Sequence, residues 1–374
     1  MYLKDLQVVN FRNYKHQELT FKPGVFIVQG ANGQGKSNLL ESIYVLCFGK
    51  SYRTHREHDL VFWQSPYYYL KGLVFLEERL YQVEVGYEMA KQRKVHKTNG
   101  RAGRHLSSEL LFPVVFFVPE DLELVRRGPE ERRKYMDMEI GQGDPLYAGY
   151  LQRYKKALFQ KNRLLKTRRP GVSPDALLRP WNEQIVYFGS RLIQRRGEFV
   201  RNWNRLAGEH YQRLFEHEPD LEIVYESLGC TCQSLGKVET VEKIFWEELS
   251  RVEGKERERG FSLAGPHKDD MIFLLNHRDA RRFASHGQQR GIVIALKAAQ
   301  VQYYKEMGKK PLFLLDDIFS ELDEIRREKC YTLFEEAGQV FLTITRKEKY
   351  MDNFLTRFNN CYFLSVEKGQ VKEI

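Results

Sequence analysis

The hydrophobic rhythm of this chain changes twice. Up to about residue 118, apolar and polar positions alternate, as over 69–75 and 80–85, which predicts strands with one buried face. Two short runs, 25–28 and 114–118, are apolar throughout and predict fully buried strands. After Pro119 the period lengthens. Leu151, Tyr154, Leu158 and Leu165, then Ile185, Phe188, Leu192 and Phe199, recur near helical spacing. Near Gly260 strand character returns, with an apolar run at 271–275, a helix over 291–300 and apolar strands at 311–316 and 339–345. This order predicts an α/β head built from both ends of the chain, residues 1–118 and 260–374. A compact, mainly helical arm, 119–259, is inserted between them. Sustained heptads are absent, so the roughly 140 inserted residues predict a compact arm rather than a coiled coil.

The strand at 25–28 runs into Gly30-Ala31-Asn32-Gly33-Gln34-Gly35-Lys36-Ser37, followed by Asn38 and by Leu39, Leu40, Ile43 and Leu46 at helical spacing. This is the pattern of a phosphate-binding loop between a strand and a helix. Gly30, Gly33 and Gly35 let the backbone approach a polyphosphate, with N–H groups and the helix start facing the anion. In such a loop Lys36 reaches the β- and γ-phosphates and the Ser37 hydroxyl holds Mg²⁺. The expected ligands are therefore ATP and Mg²⁺.

The strand at 311–316 ends in Asp316-Asp317. A buried strand that delivers carboxylates at its end is how a second motif meets a phosphate loop. Asp316 is expected to position Mg²⁺, and Asp317 to polarise the attacking water as general base. Roughly 280 residues separate the loop from these carboxylates, in line with an inserted domain. A third element, Ser285-His286-Gly287-Gln288-Gln289, precedes the helix over 291–300. By itself it reads equally as a capped helix start and as an anion site.

Composition adds a polyanion. The chain has 374 residues, 42% hydrophobic and 29% charged, with a net charge of +10. That balance suggests a nucleic-acid partner. The five cysteines are scattered without metal-ligand spacing, which favours a reducing, cytoplasmic compartment. No apolar run is long enough to span a bilayer, and the first residues read as a strand rather than a signal peptide.

In this order the motifs resemble the ABC-type ATPase heads. Ser285–Gln289 looks like their signature motif, Ser320-Glu-Leu-Asp323 like their D-loop, and Thr343 or Thr345 like their switch residue. Within that class the chain resembles the RecF family of bacterial recombinational repair. The matching segments are Phe11-Arg12-Asn13-Tyr14, Gly49-Lys-Ser-Tyr-Arg-Thr54, Pro119-Glu-Asp-Leu with Gly128-Pro129, Arg132-Arg-Lys-Tyr-Met-Asp137 and Gly265-Pro-His-Lys-Asp-Asp270. Arg127 and Lys268 depart from the family pattern, away from the nucleotide motifs. The resemblance implies that Arg12 and Asn13 lie near the nucleotide. It implies that Ser285, Gly287 and Gln288 meet the nucleotide of a second copy in an ATP-dependent homodimer. It also implies slow ATP hydrolysis, double-stranded and gapped DNA as partner, and action with RecO and RecR to load RecA. Two other readings stay open: an SMC-type DNA clamp that uses ATP as a dimer switch, and a transporter-type ATPase subunit.

The segment 151–169 holds eight Lys or Arg and no acid. It reads either as a solvated helix face or as a phosphate-backbone contact without base readout. Arg53, Arg56 and Arg104 form a second basic group, with the same two readings.

Overall fold

A computed structural model describes residues 1–103, 112–166, 174–215, 219–231, 236–322, 324–335, 337–346 and 354–374. Arg104, residues 167–169 of the basic run and Asp323 lie outside the described residues, as do the side chains of Ser320 and Glu321.

The chain divides into two compact units, Met1–Asp121 with Lys297–Ile374, and Leu122–Leu296. The first unit opens with β1 (Tyr2–Phe11), β2 (Tyr14–Thr20) and β3 (Gly24–Gln29), then helix α1 (Lys36–Phe48). Next come β4 (Tyr67–Leu76), β5 (Arg79–Glu88), β6 (Arg93–Thr98), β7 (Arg101–Ala102) and β8 (Val114–Phe117). In the second unit lie α2 (Glu123–Arg126), α3 (Pro129–Gly143), α4 (Pro145–Lys166) and α5 (Pro174–Leu214). They are followed by β9 (Leu221–Ser227), β10 (Cys230–Thr231), α6 (Val238–Arg259), β11 (Asp270–Leu275), β12 (Arg278–Asp279) and α7 (Ala280–Phe283). Helix α8 (His286–Glu306) carries the chain back to the first unit. There it continues through β13 (Leu312–Asp316), α9 (Glu324–Phe334), β14 (Gln339–Ile344), β15 (Cys361–Glu367) and β16 (Gln370–Glu373).

Two sheets make up the first unit. One is antiparallel, in the order β2-β1-β4-β5-β6-β7. The other, β16-β15-β3-β14-β13-β8, is parallel except for the β15–β16 hairpin. The continuous apolar runs of β3, β13 and β14 suit a sheet covered on both faces, and nearly every residue in them is buried. Helix α1 contacts strands of both sheets and is buried over most of its circumference, from Leu39 to Cys47. Each such Leu, Ile or Val side chain contributes about 1.5–3 kcal/mol of burial.

The second unit is helical with a small sheet, β10-β9-β11-β12. It extends to Leu296, past residue 259, where the arm was expected to end. The reason is pairing: β11 runs antiparallel to β9 from Asp270↔Glu226 to Leu275↔Leu221. The segment before β11 is also pinned to the helices by buried charge. Arg196 of α5 donates to Asp269 (2.8 Å), to the Pro266 carbonyl (2.6 Å) and to Asp137 of α3 (2.7 Å). Arg132 of α3 grips Asp270 with Nε and one terminal nitrogen, at 2.7 and 2.9 Å. Two of the family-like segments thus meet each other, and their charges are held in pairs as burial requires.

Candidate nucleotide site

Parallel register builds this site. Thr343 on β14 lies opposite Val28 of β3 on one side and Asp316 of β13 on the other. The C-terminal ends of three neighbouring strands therefore open at one level, where ligands of parallel α/β sheets bind. The chain leaves β3 at Gln29 and turns through Gly30–Gly35 into α1. Gly35 caps α1 at φ 119°, and a side chain there would press on the Asn13 amide at 2.5 Å, so only glycine fits.

The loop is held from outside. Asn13 donates to the Gln34 carbonyl and accepts from Asn38, both at 2.8 Å, and the Tyr14 hydroxyl donates to the Gly35 carbonyl at 2.9 Å. Lys36 Nζ donates to the carbonyls of Gly30 (2.6 Å) and Ala31 (3.1 Å). Burial lowers the Lys36 ammonium from the usual lysine range, while the nearby Asp317 and Asp316 carboxylates pull it back up. An ammonium held over the loop by two backbone carbonyls is placed to meet an anion in that loop.

Ser37 Oγ donates to Asp316 Oδ1 at 2.9 Å, and Thr343 Oγ1 donates to the same oxygen at 2.8 Å. Asp317, at φ 50°, gives its N–H to Thr343 Oγ1 at 2.9 Å. A hydroxyl and a carboxylate at this spacing are hard oxygen donors of the kind Mg²⁺ takes in ones and twos. Among the described residues no cluster of three or more His, Cys, Asp or Glu offers a complete metal cage. The donor set fits an ion that completes its shell with phosphate oxygens and water.

Residues 30–38, Asn13, Asp316 and Asp317 thus come together in the first unit. Arg12 adjoins them through Asn13, but its side chain is committed elsewhere. It makes a two-pronged contact with Glu41 at 2.8 Å for both bonds and donates to the Asp59 carbonyl at 2.9 Å. Ser285, Gly287 and Gln288 belong to the second unit. There Ser285 and Gln288 form a reciprocal cap: the Ser285 N–H donates to Gln288 Oε1 (2.9 Å), and the Gln288 N–H to Ser285 Oγ (3.2 Å). Ser285 is exposed.

Several residues of the site escaped the sequence reading. Glu41 is fully buried and also receives Ser51 Oγ at 2.5 Å, and a carboxylate inside the apolar stretch of α1 was its signal. Arg53, for which the sequence leaves surface charge and phosphate-backbone contact both open, donates to Asn38 at 3.1 Å and so borders the loop. The β15–β16 turn clasps Gln34: Lys368 N–H meets its side-chain oxygen (2.8 Å) and Gly369 N–H its carbonyl (3.1 Å). Beside this clasp a cleft of about 470 Å³ is lined by Gly30, Ala31, Gln34, Thr345, Arg346 and Lys368, among others. Nothing in the residues 361–373 as a sequence pointed to the loop.

Known proteins agree with this architecture. The model of the RecF/RecN/SMC N-terminal domain matches residues 2–371. An SMC head from Pyrococcus furiosus, bound to part of ScpA, superposes with a TM-score of 0.55 at 18% identity, covering all of this chain and 96% of that one; this speaks to the fold alone. Fold and site together define an ABC-type P-loop ATPase head of the SMC kind. Within that class, the DNA replication and repair protein RecF of Desulfitobacterium hafniense is 40% identical over 377 aligned positions, the full length of both chains. RecF of Natranaerobius thermophilus is 38% identical over 357 positions, 94% of this chain and 92% of the relative. A solved structure described as the recombination mediator RecF with ATP in the RecFOR pathway matches with a TM-score of 0.89 at 32% identity, covering all of this chain and 97% of the other. The chain belongs to the RecF family of DNA replication and repair proteins.

Proposed function

We propose that this chain binds and slowly hydrolyses ATP to control its hold on DNA during recombinational repair. Lys36 would meet the β- and γ-phosphates, and N–H groups of the loop would cradle them. Ser37 and Asp316 would hold Mg²⁺, whose role is to neutralise charge on the phosphates. Asp317 would take the proton of the attacking water. The observation that carries this reading is the convergence of Lys36, Ser37, Asp316 and Asp317 at the ends of β3 and β13, the two parallel strands that flank β14.

ATP would also join two copies. Ser285, Gly287 and Gln288 stand at the start of a helix, whose positive end suits a phosphate, and the loop already meets one nucleotide's needs. The signature of one copy would then contact the γ-phosphate held by the other, so ADP would not hold the dimer. The net charge of +10 suits a polyanion and the relatives' replication and repair role makes it DNA; the choice of double-stranded DNA near gaps rests on the family resemblance. RecO and RecR fit as partners because a relative is described in the RecFOR pathway; RecA, as the protein whose loading results, rests on the family resemblance alone. The cytoplasm is the fitting compartment for such work.

A mixing experiment tests both halves of the proposal. Lys36→Ala is expected to weaken ATP binding by about 2–4 kcal/mol. Ser285→Arg is expected to bind ATP as a monomer but neither to dimerise nor to hydrolyse. Mixed, the two variants form heterodimers with one intact composite site, and ATPase activity should return. Full activity of Ser285→Arg alone, as a monomer in sedimentation, would leave Ser285 as a plain helix cap.

A further inference from the structure

The geometry points to Thr343 as the positioning residue that sets the metal carboxylate and the catalytic base together, an inference resting on the ATPase reading above. Its hydroxyl has one proton and two lone pairs. The proton goes to Asp316 Oδ1 at 2.8 Å, and a lone pair receives the Asp317 N–H at 2.9 Å. One oxygen atom thus touches both acids, and it is fully buried.

Two features make this more than a strand contact. First, Asp317 leaves the strand in the left-handed region, at φ 50° and ψ 34°. Asp tolerates that region better than most residues, yet it still costs about 1–2 kcal/mol. The bond to Thr343 gives the turned N–H its acceptor, and so helps fix the direction in which the Asp317 side chain leaves the backbone. Second, the Asp316 oxygen that Thr343 holds is also the one that Ser37 holds. When Ser37 turns its oxygen toward a cation, it gives up that contact, and among the described hydrogen bonds to this oxygen the one from Thr343 is left to keep the carboxylate from rotating. Outer hydrogen bonds of this kind orient metal ligands and typically matter about 10–100-fold in affinity or activity.

The same geometry separates the two threonines that resemble a switch residue. Thr343 is enclosed between the acids, whereas Thr345 lies at the loop, 3.4 Å from Asn32, and lines the cleft. Thr345 is the one placed to sense a nucleotide, and Thr343 acts through Asp316 and Asp317.

Thr343→Val keeps the shape and removes the oxygen. Binding of a fluorescent ATP analogue is measured in EDTA and across a Mg²⁺ titration, with steady-state hydrolysis and a nucleotide-free melt alongside. In EDTA the variant should bind like the parent. The Mg²⁺ needed for half-maximal tightening should rise about 10–100-fold, and turnover should fall by a similar factor with little change in KM. Thr343→Ser, which restores the hydroxyl, should recover both. If Thr343→Val does not fold, Thr343→Ala removes the same oxygen with less bulk and takes its place. A folded variant with the parent's Mg²⁺ requirement and turnover would overturn the inference, as would a Ser variant no better than Val. A parent chain that shows no Mg²⁺-dependent ATP binding would instead overturn the functional reading beneath it, and the inference with it.

Discussion

Ser37 and Asp316 meet across one 2.9 Å hydrogen bond although 279 residues separate them. The contact exists because β13 and β3 flank β14 in a parallel sheet. Such a sheet gathers strand ends from anywhere in the chain onto one edge. An entire second unit can then be inserted between loop and carboxylate without disturbing the chemistry, provided the chain returns to the same edge. The bond is charge-assisted, so it also orders the carboxylate before any ligand arrives.

If Asp317 is the base, as proposed, hydrolysis should be separable from binding. Asp317→Asn preserves size and hydrogen-bonding reach, and Asn tolerates the φ of 50° as Asp does. ATP binding should persist while turnover falls by about 10²-fold or more. The ATP-bound dimer should therefore accumulate in sedimentation. Unchanged single-turnover hydrolysis would place the base elsewhere, whereas a dimer that forms with little turnover even in the parent would favour the clamp reading.

The basic run on α4 divides by burial. Lys155 and Lys156 are exposed, but Lys161 is 1% exposed and paired with Glu256, itself 3% exposed, at 2.7 Å. Lys161 therefore leaves the set of possible DNA contacts. Reversing Lys155 and Lys156 to Glu should weaken duplex binding regardless of sequence, and reduce the salt slope by about one unit per lost phosphate contact. Lys161→Glu should instead bury two carboxylates together, with a loss of about 3–5 kcal/mol seen as a collapsed melting transition. Equal salt slopes for the parent and the exposed double variant would assign this face to solvent.

What could be read along the chain was whatever short-range chemistry announces. The glycine spacing before Lys36, the apolar strand ending in Asp316-Asp317 and the helix after Ser285 all came through, because local φ/ψ demands and burial dictate them. Helical spacing of Tyr154 and Leu158 gave α4 its face but not the fate of Lys161, since only the partner Glu256 on α6 decides whether a lysine is buried. The end of the insertion was misplaced for a similar reason: β11 looks like any strand until its pairing with β9 assigns it. The motif around Arg12 could be read in the chain, but its grip on Glu41 could not, because that depends on a partner 29 residues away.

His267 makes the second unit sensitive to acid. Burial depresses its pKa from 6.5 to about 4. In the neutral ring, Nε2–H donates to the Ser262 carbonyl (3.1 Å) and Nδ1 accepts from the Tyr154 hydroxyl (2.6 Å). The unfolded chain, near its ordinary value, binds the proton first. Stability contributed by the neutral ring is thus complete above pH 6.5 and is lost as pH falls toward 4, by about 3 kcal/mol in all. Chemical denaturation across this window should show that slope in the parent, and a visibly smaller one in His267→Gln. Parallel curves for the two chains would mean that other groups carry the acid sensitivity.

The clasp at the other end of the chain bears on the nucleotide. Gly369 sits at φ 72°, and a side chain there would lie 2.1 Å from the Asn13 carbonyl oxygen, so either the hairpin tip or Asn13 must move. Both hold Gln34. Gly369→Ala should therefore shift the loop as well as strain the turn. Gly308 separates the two effects, because it has nearly the same φ, 71°, with nothing within 4 Å of an added side chain. Gly308→Ala should cost about 1 kcal/mol of stability and leave ATP affinity alone. Gly369→Ala should melt lower still and bind ATP about tenfold more weakly, since an ångström of misplacement costs up to about 10²-fold. If both variants bind ATP like the parent while melting lower, the clasp only anchors the hairpin, and the loop keeps its shape through Asn13 and Tyr14.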